Sequence, residues 1–586
     1  MAEPLLPLLG QRVRSGLRAA FGEEVDTPEP LVLPARDARH GDYSTSAPLA
    51  LARQLREAAP VLARRLADAL EVDDICLPPE VAGGFVNLRL RPEWLASRLE
   101  DSLSDERPLA VEPAVEPQKV VVDYSAPNVA KEMHVGHLRT TIIGDSLAHV
   151  YELLGHEVER VNHVGDWGTQ FGILIAHLEE VRPSGGERAG LAGGGLDLGA
   201  LLGLYQEANE RFRTDEGFRD RARQRVVDLQ SGEPTARAMW ASMVELSRNE
   251  NAAVYELLGV RGLIERGESS YAPLLPQVAA DLEAAGLVVV DDGAKCVYVD
   301  GFTNKDGDPL PLIVQKADGG YNYATTDLAA IRARVASGAT LLLYVVGAEQ
   351  SQHLEMVFAV ARRVGWLPPN VTARHVPYGL IQGESGKRLR TRTGGSVRLV
   401  DLLTEAIDRA RAFVVARAEE RDEPVPEDVD EVARIIGIGA VKYTDLSTAR
   451  MSGYVFSFDR MLSLRGNTPP YLQYAHARLR SILREGGDGE RTLGAVALVE
   501  DDEVALAKRL VGFGDVIDRV VADDAPNHLC AALFELASAF NGFYERCPVL
   551  RAEPGVRASR LALCEATART LRGGLGLLGI EAPERL

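Results

Sequence analysis

Residues 119–163 constrain the fold more than any other stretch, because they predict a strand, a helix and a second strand in close succession. Lys119–Tyr124 reads KVVVDY, a β-branched and apolar run that is typical of a buried strand. After a polar loop, apolar residues recur at helical spacing from Leu138 to Leu154, and Gly155 ends the pattern. His156–His163 then alternates as a second strand. Such a unit implies parallel strands joined by a right-handed crossover, so the sequence predicts a Rossmann-type α/β domain.

The residues before this unit predict a separate α+β domain. Helical periodicity over Leu51–Leu70 is followed by a strand-like run at Gly84–Leu90. The segment 106–119 carries three prolines, which block regular structure and favour a linker between domains. We therefore assign residues 1–112 to an N-terminal domain.

The rest of the chain predicts a long α/β domain and a helical one. We assign residues 113–400 to the Rossmann-type domain, with a third strand at Ala339–Val346 and a helical insertion at about 180–265, since a structureless loop of that length is improbable. Residues 401–586 are almost entirely helical in pattern and predict an all-α helix bundle. The fold class is thus a multidomain α/β protein.

Composition excludes several classes of protein. No apolar run approaches the roughly 20 residues that span a bilayer, and the N-terminus lacks the basic start of a secretory signal, so we expect a cytoplasmic protein without membrane contact. The five cysteines are scattered without a CxxC pair, which argues against a zinc site and against a disulfide framework. The net charge of −20 argues against a polyanion partner, but local patches decide nucleic-acid binding.

The segment His134-Val-Gly-His137 lies where the first strand's loop enters a helix. Backbone N–H groups and the helix dipole favour phosphate at such a point, and two imidazoles can donate hydrogen bonds to phosphate oxygens. Gly136 lets a planar base approach the backbone. The four letters alone favour a chance HxGH or two surface histidines over a functional motif. A metal site lacks a third ligand of suitable spacing.

The context of HVGH resembles a known family. HxGH after the first strand of such a unit is similar to the first motif of class I aminoacyl-tRNA synthetases. The whole window Asp123–Asp145, DYSAPNVAKEMHVGHLRTTIIGD, resembles the arginyl-tRNA synthetase family in particular, and so does Val161–Gly172, VNHVGDWGTQFG. The resemblance implies that His134, Gly136 and His137 bind ATP, the two histidines acting on its phosphates and Gly136 on adenine.

The stretch Gly383–Val397, GESGKRLRTRTGGSV, is the candidate for the second class I motif. Its cations can stabilise charge on a leaving pyrophosphate. A solvated basic hairpin tip explains the composition equally well. The stretch departs from the usual lysine pair, so either Lys387 or Arg388 takes the first lysine's place, and we predict that both contact ATP and that Lys387 is catalytic.

A guanidinium substrate requires acidic and amide partners, because it stays charged and presents a planar fork of donors. Tyr323 lies four residues before Asp327, so the two side chains can face one pocket. The family resemblance implies that Glu268, Tyr323, Asp327 and Gln350 bind the guanidinium side of arginine. It also implies that Asn128, in the SAPN segment, binds the backbone end. Each residue alone has a structural explanation at about even odds.

The C-terminal bundle contains a candidate RNA-binding face. Tyr471, Tyr474 and Arg478 fall at i, i+3 and i+7 of one predicted helix, where aromatic rings and a cation can stack on bases and hold phosphates. A buried tyrosine seam with exposed arginines is an equal alternative for each residue. The stretch resembles the anticodon-binding domain of the family. Residues 551–572, with five Arg against two Glu, are a further candidate for phosphate contacts.

The resemblance implies an enzyme that activates L-arginine with ATP to arginyl-adenylate and transfers the arginyl group to the 3′ adenosine of tRNA(Arg). Mg²⁺ accompanies ATP as substrate, no cofactor or zinc is tightly bound, and we expect a monomer. The N-terminal domain, with Ala38–Arg53, resembles the family's extra tRNA-binding domain. Another class I synthetase or an HxGH nucleotidyltransferase is the enzymatic alternative. A catalytically inactive tRNA-binding paralogue is the alternative of a different kind.

Overall fold

The computed structural model describes residues 4–22, 31–35, 37–105, 111–181, 198–382, 397–464, 466–487 and 495–586. The chain forms two compact units. Unit 1 comprises residues 1–114 together with 463–586, and unit 2 comprises residues 115–462. In the described ranges, no helix is long and apolar enough to cross a membrane. The five cysteines are buried and unbridged.

The N-terminal part of unit 1 is an α+β arrangement, as predicted. A four-stranded antiparallel sheet has the order β1-β2-β4-β3. The predicted helical stretch Leu51–Leu70 falls in two helices, and the predicted strand Gly84–Leu90 contains β4. The elements are α1 (Leu5–Phe21), β1 (Leu33–Pro34), β2 (Tyr43–Thr45), α2 (Ala47–Leu55), α3 (Ala59–Ala69), β3 (Glu80–Ala82), β4 (Phe85–Leu88) and α4 (Pro92–Ser104).

Unit 2 is built on a five-stranded parallel sheet of order β12-β11-β5-β6-β7. The central strand β5 (Lys119–Asp123) continues through α5 (Val135–Leu153) into β6 (Glu157–Asn162), so the predicted strand–helix–strand unit and the Rossmann-type fold class are confirmed. β5 is buried on both sides because helices cover both faces of such a sheet. The other sheet strands are β7 (Ile264–Glu265), β11 (Leu341–Tyr344) and β12 (Thr372–His375).

The predicted insertion between β6 and β7 is helical where it is described. Its helices are α6 (Thr169–Val181), α7 (Leu198–Thr214), α8 (Glu216–Ser231) and α9 (Pro234–Leu258). α9 packs Met243 and Val244 against Val129 and Phe171, next to the carboxyl ends of β5 and β6. The insertion therefore contacts the loops that follow the central strands.

A second, antiparallel sheet follows the insertion, and the sequence did not predict it. It has the order β10-β9-β8. A two-residue turn, Asp292-Gly293, joins β8 to β9, and both residues have positive φ. Aspartate–glycine at such a turn is a strong hairpin signal that could have revealed the sheet. The elements of this region are α10 (Leu275–Ala284), β8 (Val288–Asp291), β9 (Ala294–Thr303), β10 (Pro309–Gln315), α11 (Tyr323–Ala336) and α12 (Ser351–Arg363).

Unit 2 ends with helices that the prediction placed in the C-terminal domain. The helices are α13 (Leu399–Glu420), α14 (Val429–Leu446) and α15 (Phe458–Met461), and a short parallel pair joins β13 (Ile381–Gln382) to β14 (Tyr454–Val455). α14 is tied to α5 by a buried ion pair, Arg139 Nε to Asp445 Oδ1 at 3.1 Å. Lys442 Nζ donates to the carbonyl of Leu258 at the end of α9. Unit 2 extends to residue 462 and so includes these helices, while the predicted boundary at 400 stays a prediction.

The C-terminal part of unit 1 is the predicted helix bundle. Residues 501–523 form two helices rather than one, because the first ends at Val511 and Gly512 separates it from the next. The helices are α16 (Pro469–Gly486), α17 (Asp501–Val511), α18 (Phe513–Asp523), α19 (Asn527–Arg546) and α20 (Pro554–Leu577).

Residues from both ends of the chain hold unit 1 together. The Leu6 N–H donates to Asp515 Oδ1 at 2.9 Å, and Lys508 Nζ donates to Asp42 Oδ1 at 2.6 Å. The N-terminal part and the bundle are thus one compact unit, whereas the prediction treats 1–112 and 401–586 as separate domains. The three-domain division stays a prediction.

Candidate active site

The HVGH segment caps the helix that follows the central strand. His134 is the N-cap of α5, and its Nδ1 accepts the N–H of Gly136 at 3.0 Å. His137 Nδ1 accepts the N–H of His134, also at 3.0 Å. This is a reciprocal capping box made from two imidazoles, and the rings stack with 4.1 Å between centroids.

These hydrogen bonds fix the tautomer of both histidines. A nitrogen that accepts an N–H bond carries no proton, so the ring proton of His134 and of His137 lies on Nε2. Each ring can then donate one Nε2–H bond while its Nδ1 keeps the helix capped. The N-terminus of α5 contributes its dipole in the same direction, so the end of this helix suits an anion such as phosphate.

Val397 and Leu399, at the end of the basic stretch Gly383–Val397 and just after it, lie beside this helix end. The N–H of Val135 donates to the carbonyl of Val397 at 3.1 Å, and the N–H of Leu399 donates to the carbonyl of Met133 at 2.9 Å. Lys387 and Arg388 lie outside the described residues. The described residues that follow them, Val397 and Leu399, are hydrogen-bonded to the backbone of Val135 and Met133.

The loop between β5 and α5 has an unusual backbone. Ser125, Ala126 and Ala130 all have positive φ, at 74°, 45° and 62°, a conformation that costs a residue with a side chain about 1–3 kcal/mol. Asn128 lies in this loop, is exposed, and pairs as an isolated bridge with Gly165. A Cβ at Gly165 would lie 2.5 Å from Asn128 Oδ1, so only glycine leaves room for the asparagine side chain.

Three carboxylates meet next to this loop. Burial, and then the neighbouring charges of Asp327 and Asp166, raise the pKa of Glu268 to about 8. Asp166 accepts bonds from the N–H and the hydroxyl of Ser269, at 2.8 and 2.6 Å, although burial raises its pKa too. Of the three, Asp166 is buried and Glu268 and Asp327 are half-buried. Carboxylates that repel one another while partly removed from water are costly unless a cation joins them. The arrangement is therefore suited to a positively charged ligand.

Asp327 lies one turn into α11, and His353 of α12 holds it. His353 Nε2 contacts Asp327 Oδ2 at 2.6 Å, and the same imidazole packs against Tyr323 with 4.6 Å between ring centroids. The predicted pair Tyr323 and Asp327 thus shares one neighbour, and Tyr323 is 57% exposed. Gln350 is exposed and lies at the end of the turn Ala348–Gln350 that precedes α12.

The sequence did not assign roles to Asp166 and His353. His353 occurs three residues after Gln350 in GAEQSQH, so the helical spacing could have revealed it. Asp166 lies in the VNHVGDWGTQFG segment that resembles the family, but its contact with Ser269 joins residues 103 positions apart. No local pattern predicts a contact of that separation.

The predicted RNA-binding residues lie on α16 in unit 1. Tyr471 is half-buried, and its hydroxyl accepts from Asn541 Nδ2 at 2.7 Å. Arg478 is exposed, with its guanidinium 6.0 Å from the Tyr474 ring centroid and 4.8 Å from that of Tyr544. Tyr544, from α19, was missed because it joins the cluster only through packing of two helices.

The basic stretch 551–572 is largely occupied by contacts within unit 1. Arg560 is buried and pairs with Glu503 at 2.7 Å, and Arg569 pairs with Glu565 at 2.9 Å. Arg557 donates to the carbonyl of Gly486 at 2.8 Å. These three arginines serve the packing of the bundle, which weakens the expectation that they contact phosphate.

A parallel sheet whose central strand leads into a helix capped by the HVGH histidines defines unit 2 as the catalytic domain of a class I aminoacyl-tRNA synthetase. The family described as tRNA synthetases class I (R), catalytic domain, matches residues 99–458. The arginyl tRNA synthetase N terminal domain matches 8–90, and the DALR anticodon binding domain matches 472–586. The chain belongs to the arginyl-tRNA synthetase family, as the sequence predicted.

Relatives of known function support this assignment over the whole chain. The arginine–tRNA ligase of Synechococcus sp. is 51% identical over 592 aligned positions, covering 100% of both chains. That of Thermosynechococcus vestitus is 52% identical and covers 99% of both. The arginyl-tRNA synthetase structure from Plasmodium falciparum superposes with a TM-score of 0.87 at 28% identity, covering 100% of this chain and 99% of that one. The structure from Thermus thermophilus gives a TM-score of 0.80 at 26% identity, covering 99% and 100%.

Proposed function

We propose that the site in unit 2 activates L-arginine with ATP and passes the arginyl group to tRNA(Arg), the reaction of the arginine–tRNA ligase family to which the chain belongs. In the first step a carboxylate oxygen of arginine attacks the α-phosphorus of ATP. The bond between the α-phosphorus and the oxygen that bridges to the β-phosphate breaks, and diphosphate leaves. In the second step a ribose hydroxyl of the tRNA's terminal adenosine attacks the carbonyl carbon of the adenylate, and AMP leaves.

The nucleotide occupies the end of α5. His134 and His137 donate their Nε2–H groups to phosphate oxygens, while Nδ1 of each ring keeps the helix end in place. Gly136 leaves its backbone open to the adenine. Lys387, with Arg388 as the alternative, balances charge on the leaving diphosphate, and Mg²⁺ enters bound to ATP. In such phosphoryl transfer the protein contributes mainly position and charge compensation.

The amino acid occupies the space between the strained loop and the carboxylates. The coupled carboxylates of Glu268 and Asp327 are the observation that carries the proposal, because they select a cation. Tyr323 and Gln350 complete the guanidinium side, and Asn128 holds the backbone end of arginine. A site built for charge pairing rejects uncharged analogues, since they leave carboxylates buried and unpaired.

The tRNA contacts unit 1 as well as the active site. The cluster of Tyr471, Tyr474 and Arg478 offers rings for stacking on bases and a cation for phosphate. The DALR match over residues 472–586 supports an anticodon-binding role for this part of the chain. We further propose that the protein is a cytoplasmic monomer without zinc.

Arginine-dependent exchange of diphosphate into ATP tests the proposal, measured with and without tRNA(Arg). We expect exchange with arginine and none with lysine, ornithine or citrulline, and charging of tRNA(Arg) in the complete reaction. Exchange that requires another amino acid would overturn the specificity. A protein that binds tRNA but supports neither reaction would be an inactive paralogue.

A further inference from the structure

Helix α9 of the insertion presents polar groups to both sides of the arginine pocket. Ser247 and Asn251 are buried on the face that also carries Met243 and Leu258, where a helix of this kind would ordinarily bury apolar residues only. Trp240 and Tyr255 extend the same face toward its two ends, about 22 Å apart. This face packs next to the loops that follow β5 and β6.

The first side of the pocket is the loop that carries Asn128. Its three left-handed residues each have an N–H group that donates to a side chain: Ser125 to Thr140 Oγ1 at 2.9 Å, Ala126 to Asn162 Oδ1 at 3.0 Å, and Ala130 to Ser247 Oγ at 2.9 Å. The acceptors are all buried. Positive φ is unfavourable at these three residues, so the loop keeps this conformation only while hydrogen-bonding partners stabilise it.

Tyr255 joins two of these partners. Its hydroxyl accepts from Asn162 Nδ2 at 3.1 Å and lies 2.8 Å from Ser125 Oγ. Burial raises the pKa of Tyr255 to about 12, so the hydroxyl keeps its proton and can donate it to the serine. One phenol therefore fixes the orientation of the Asn162 amide, which holds Ala126, and the position of Ser125.

The second side of the pocket is the segment that carries Glu268. Trp240 Nε1 donates to the backbone carbonyl of Asp166 at 2.7 Å. The carboxylate of Asp166 then holds both the N–H and the hydroxyl of Ser269, the residue after Glu268. A Cβ at Gly267 would overlap the Asp166 carboxylate, so only a glycine lets the backbone come this close to that carboxylate.

We infer that α9 is a positioning element of the arginine pocket, in which Ser247 and Tyr255 hold the loop that carries Asn128 and Trp240 holds the segment that carries Glu268. The inference rests on the proposed function, because it takes that pocket to be the arginine site. It gives the insertion a role in amino-acid binding, although none of its residues is placed in contact with arginine. Since α9 contacts the amino-acid side of the site, loss of its hydrogen bonds should weaken the binding of arginine more than the binding of ATP.

Steady-state kinetics of the full chain at saturating tRNA(Arg) test the inference with Tyr255→Phe, Ser247→Ala and Trp240→Phe. Each variant removes one hydrogen-bonding group and keeps most of the volume. We expect the KM for arginine to rise roughly tenfold, while the KM for ATP changes by less than about twofold. Ser242→Ala is the matched control, because Ser242 is a half-buried serine of the same helix whose hydroxyl donates within that helix, to the Ala238 carbonyl at 3.0 Å.

A double variant separates positioning from general weakening of the fold. If Tyr255 acts through Ser125, the combination Tyr255→Phe with Ser125→Ala raises the KM for arginine little further than Tyr255→Phe alone, since both remove the same bond. An unchanged KM for arginine in all three single variants would overturn the inference, and so would equal rises for arginine and ATP. Wild-type protein that does not charge tRNA with arginine would instead overturn the proposed function, and the inference with it.

Discussion

His134 and His137 stack with 4.1 Å between their ring centroids, and each uses Nδ1 to accept a backbone N–H bond of the same helix turn. Both rings therefore cap the backbone at the start of α5, and both are in the tautomer that carries its proton on Nε2. Both carry the ring proton on Nε2, the group that the proposed function assigns to phosphate. The proposal therefore gives the pair two tasks, capping of α5 and binding of an anion at its end.

Replacing His137 by asparagine should separate these two tasks. An asparagine can still accept the His134 N–H, but it lacks the donor at the position of Nε2, so we expect kcat to fall about 100-fold or more. Arginine-dependent diphosphate exchange measures the loss. His156→Asn is the control, because His156 Nδ1 likewise accepts a backbone N–H, that of Gln118 at 3.0 Å, beyond the opposite end of α5. Equal losses in both variants would contradict a role in phosphate binding.

The raised pKa of Glu268 predicts that arginine binding depends on pH. Below about 8 this carboxyl is protonated in the empty site, whereas a bound guanidinium favours the ionised form, so binding at neutral pH releases a proton. Between about pH 6.5 and 8 the KM for arginine should therefore fall as pH rises, by up to about tenfold per unit. Calorimetry of arginine binding in two buffers of different ionisation enthalpy measures the proton release. In Glu268→Gln this release should disappear, and a wild-type enzyme without it would contradict the assignment.

Asp327→Asn should weaken the binding of arginine and leave the binding of ATP nearly unchanged. The substitution keeps the shape of the side chain and its contact with His353 but removes the charge that faces the guanidinium. We expect the KM for arginine to rise about 100-fold, with the KM for ATP nearly constant. Asp318→Asn is the control, since Asp318 only accepts the N–H of Gly320 in an exposed turn. An unchanged KM for arginine would remove Asp327 from the pocket.

Lys387→Ala and Arg388→Ala should differ in their effect on the chemical step. The residue that takes the place of the motif's first lysine balances charge that develops on the leaving diphosphate, so its loss should lower kcat about 100-fold or more. The other variant should change mainly the KM for ATP. Single-turnover adenylate formation distinguishes the two. Wild-type rates in both would show that this stretch does not take part.

Arg478→Ala should weaken the binding of tRNA(Arg) without changing the binding of arginine or ATP. Loss of one exposed cation that contacts phosphate is expected to raise the KM for tRNA(Arg) and to lower the salt dependence of binding by about one unit of log–log slope. Filter binding over a range of salt concentrations checks this. Arg509→Ala is a matched control, because Arg509 is an exposed arginine of the same bundle that is paired with Glu535. Identical slopes in wild type and Arg478→Ala would exclude a phosphate contact.

The sequence predicted those parts of the fold that are specified locally. The KVVVDY strand, the helix after HVGH and the helices of the bundle follow from apolar periodicity within one element, and Tyr323 and Asp327 were placed together because they lie one helical turn apart. The arrangement of the loop around Asn128 could not be predicted in this way. Its hydrogen-bond acceptors Thr140, Asn162 and Ser247 lie 15, 36 and 117 residues from their donors. Only the folded chain brings them together.

The placement of α13 and α14 shows the same limit of prediction from local sequence patterns. α13 and α14 have the periodicity of bundle helices, and nothing in their own sequence tells which unit they join. The buried pair of Arg139 and Asp445 ties α14 to α5 across 306 residues. Contacts between residues so far apart along the chain are not visible in the local pattern.

Unit 1 draws its residues from both ends of the chain, with contacts such as Leu6 to Asp515 and Asp42 to Lys508. During synthesis on the ribosome, the N-terminal segment therefore emerges long before its partners. Unit 2 has all of its residues once position 462 has left the exit tunnel, whereas helix α1, whose apolar face is buried in the finished protein, has to wait for α18, which it contacts. The nascent chain thus carries an incomplete apolar surface through most of its translation, and that surface is what a ribosome-associated chaperone would encounter.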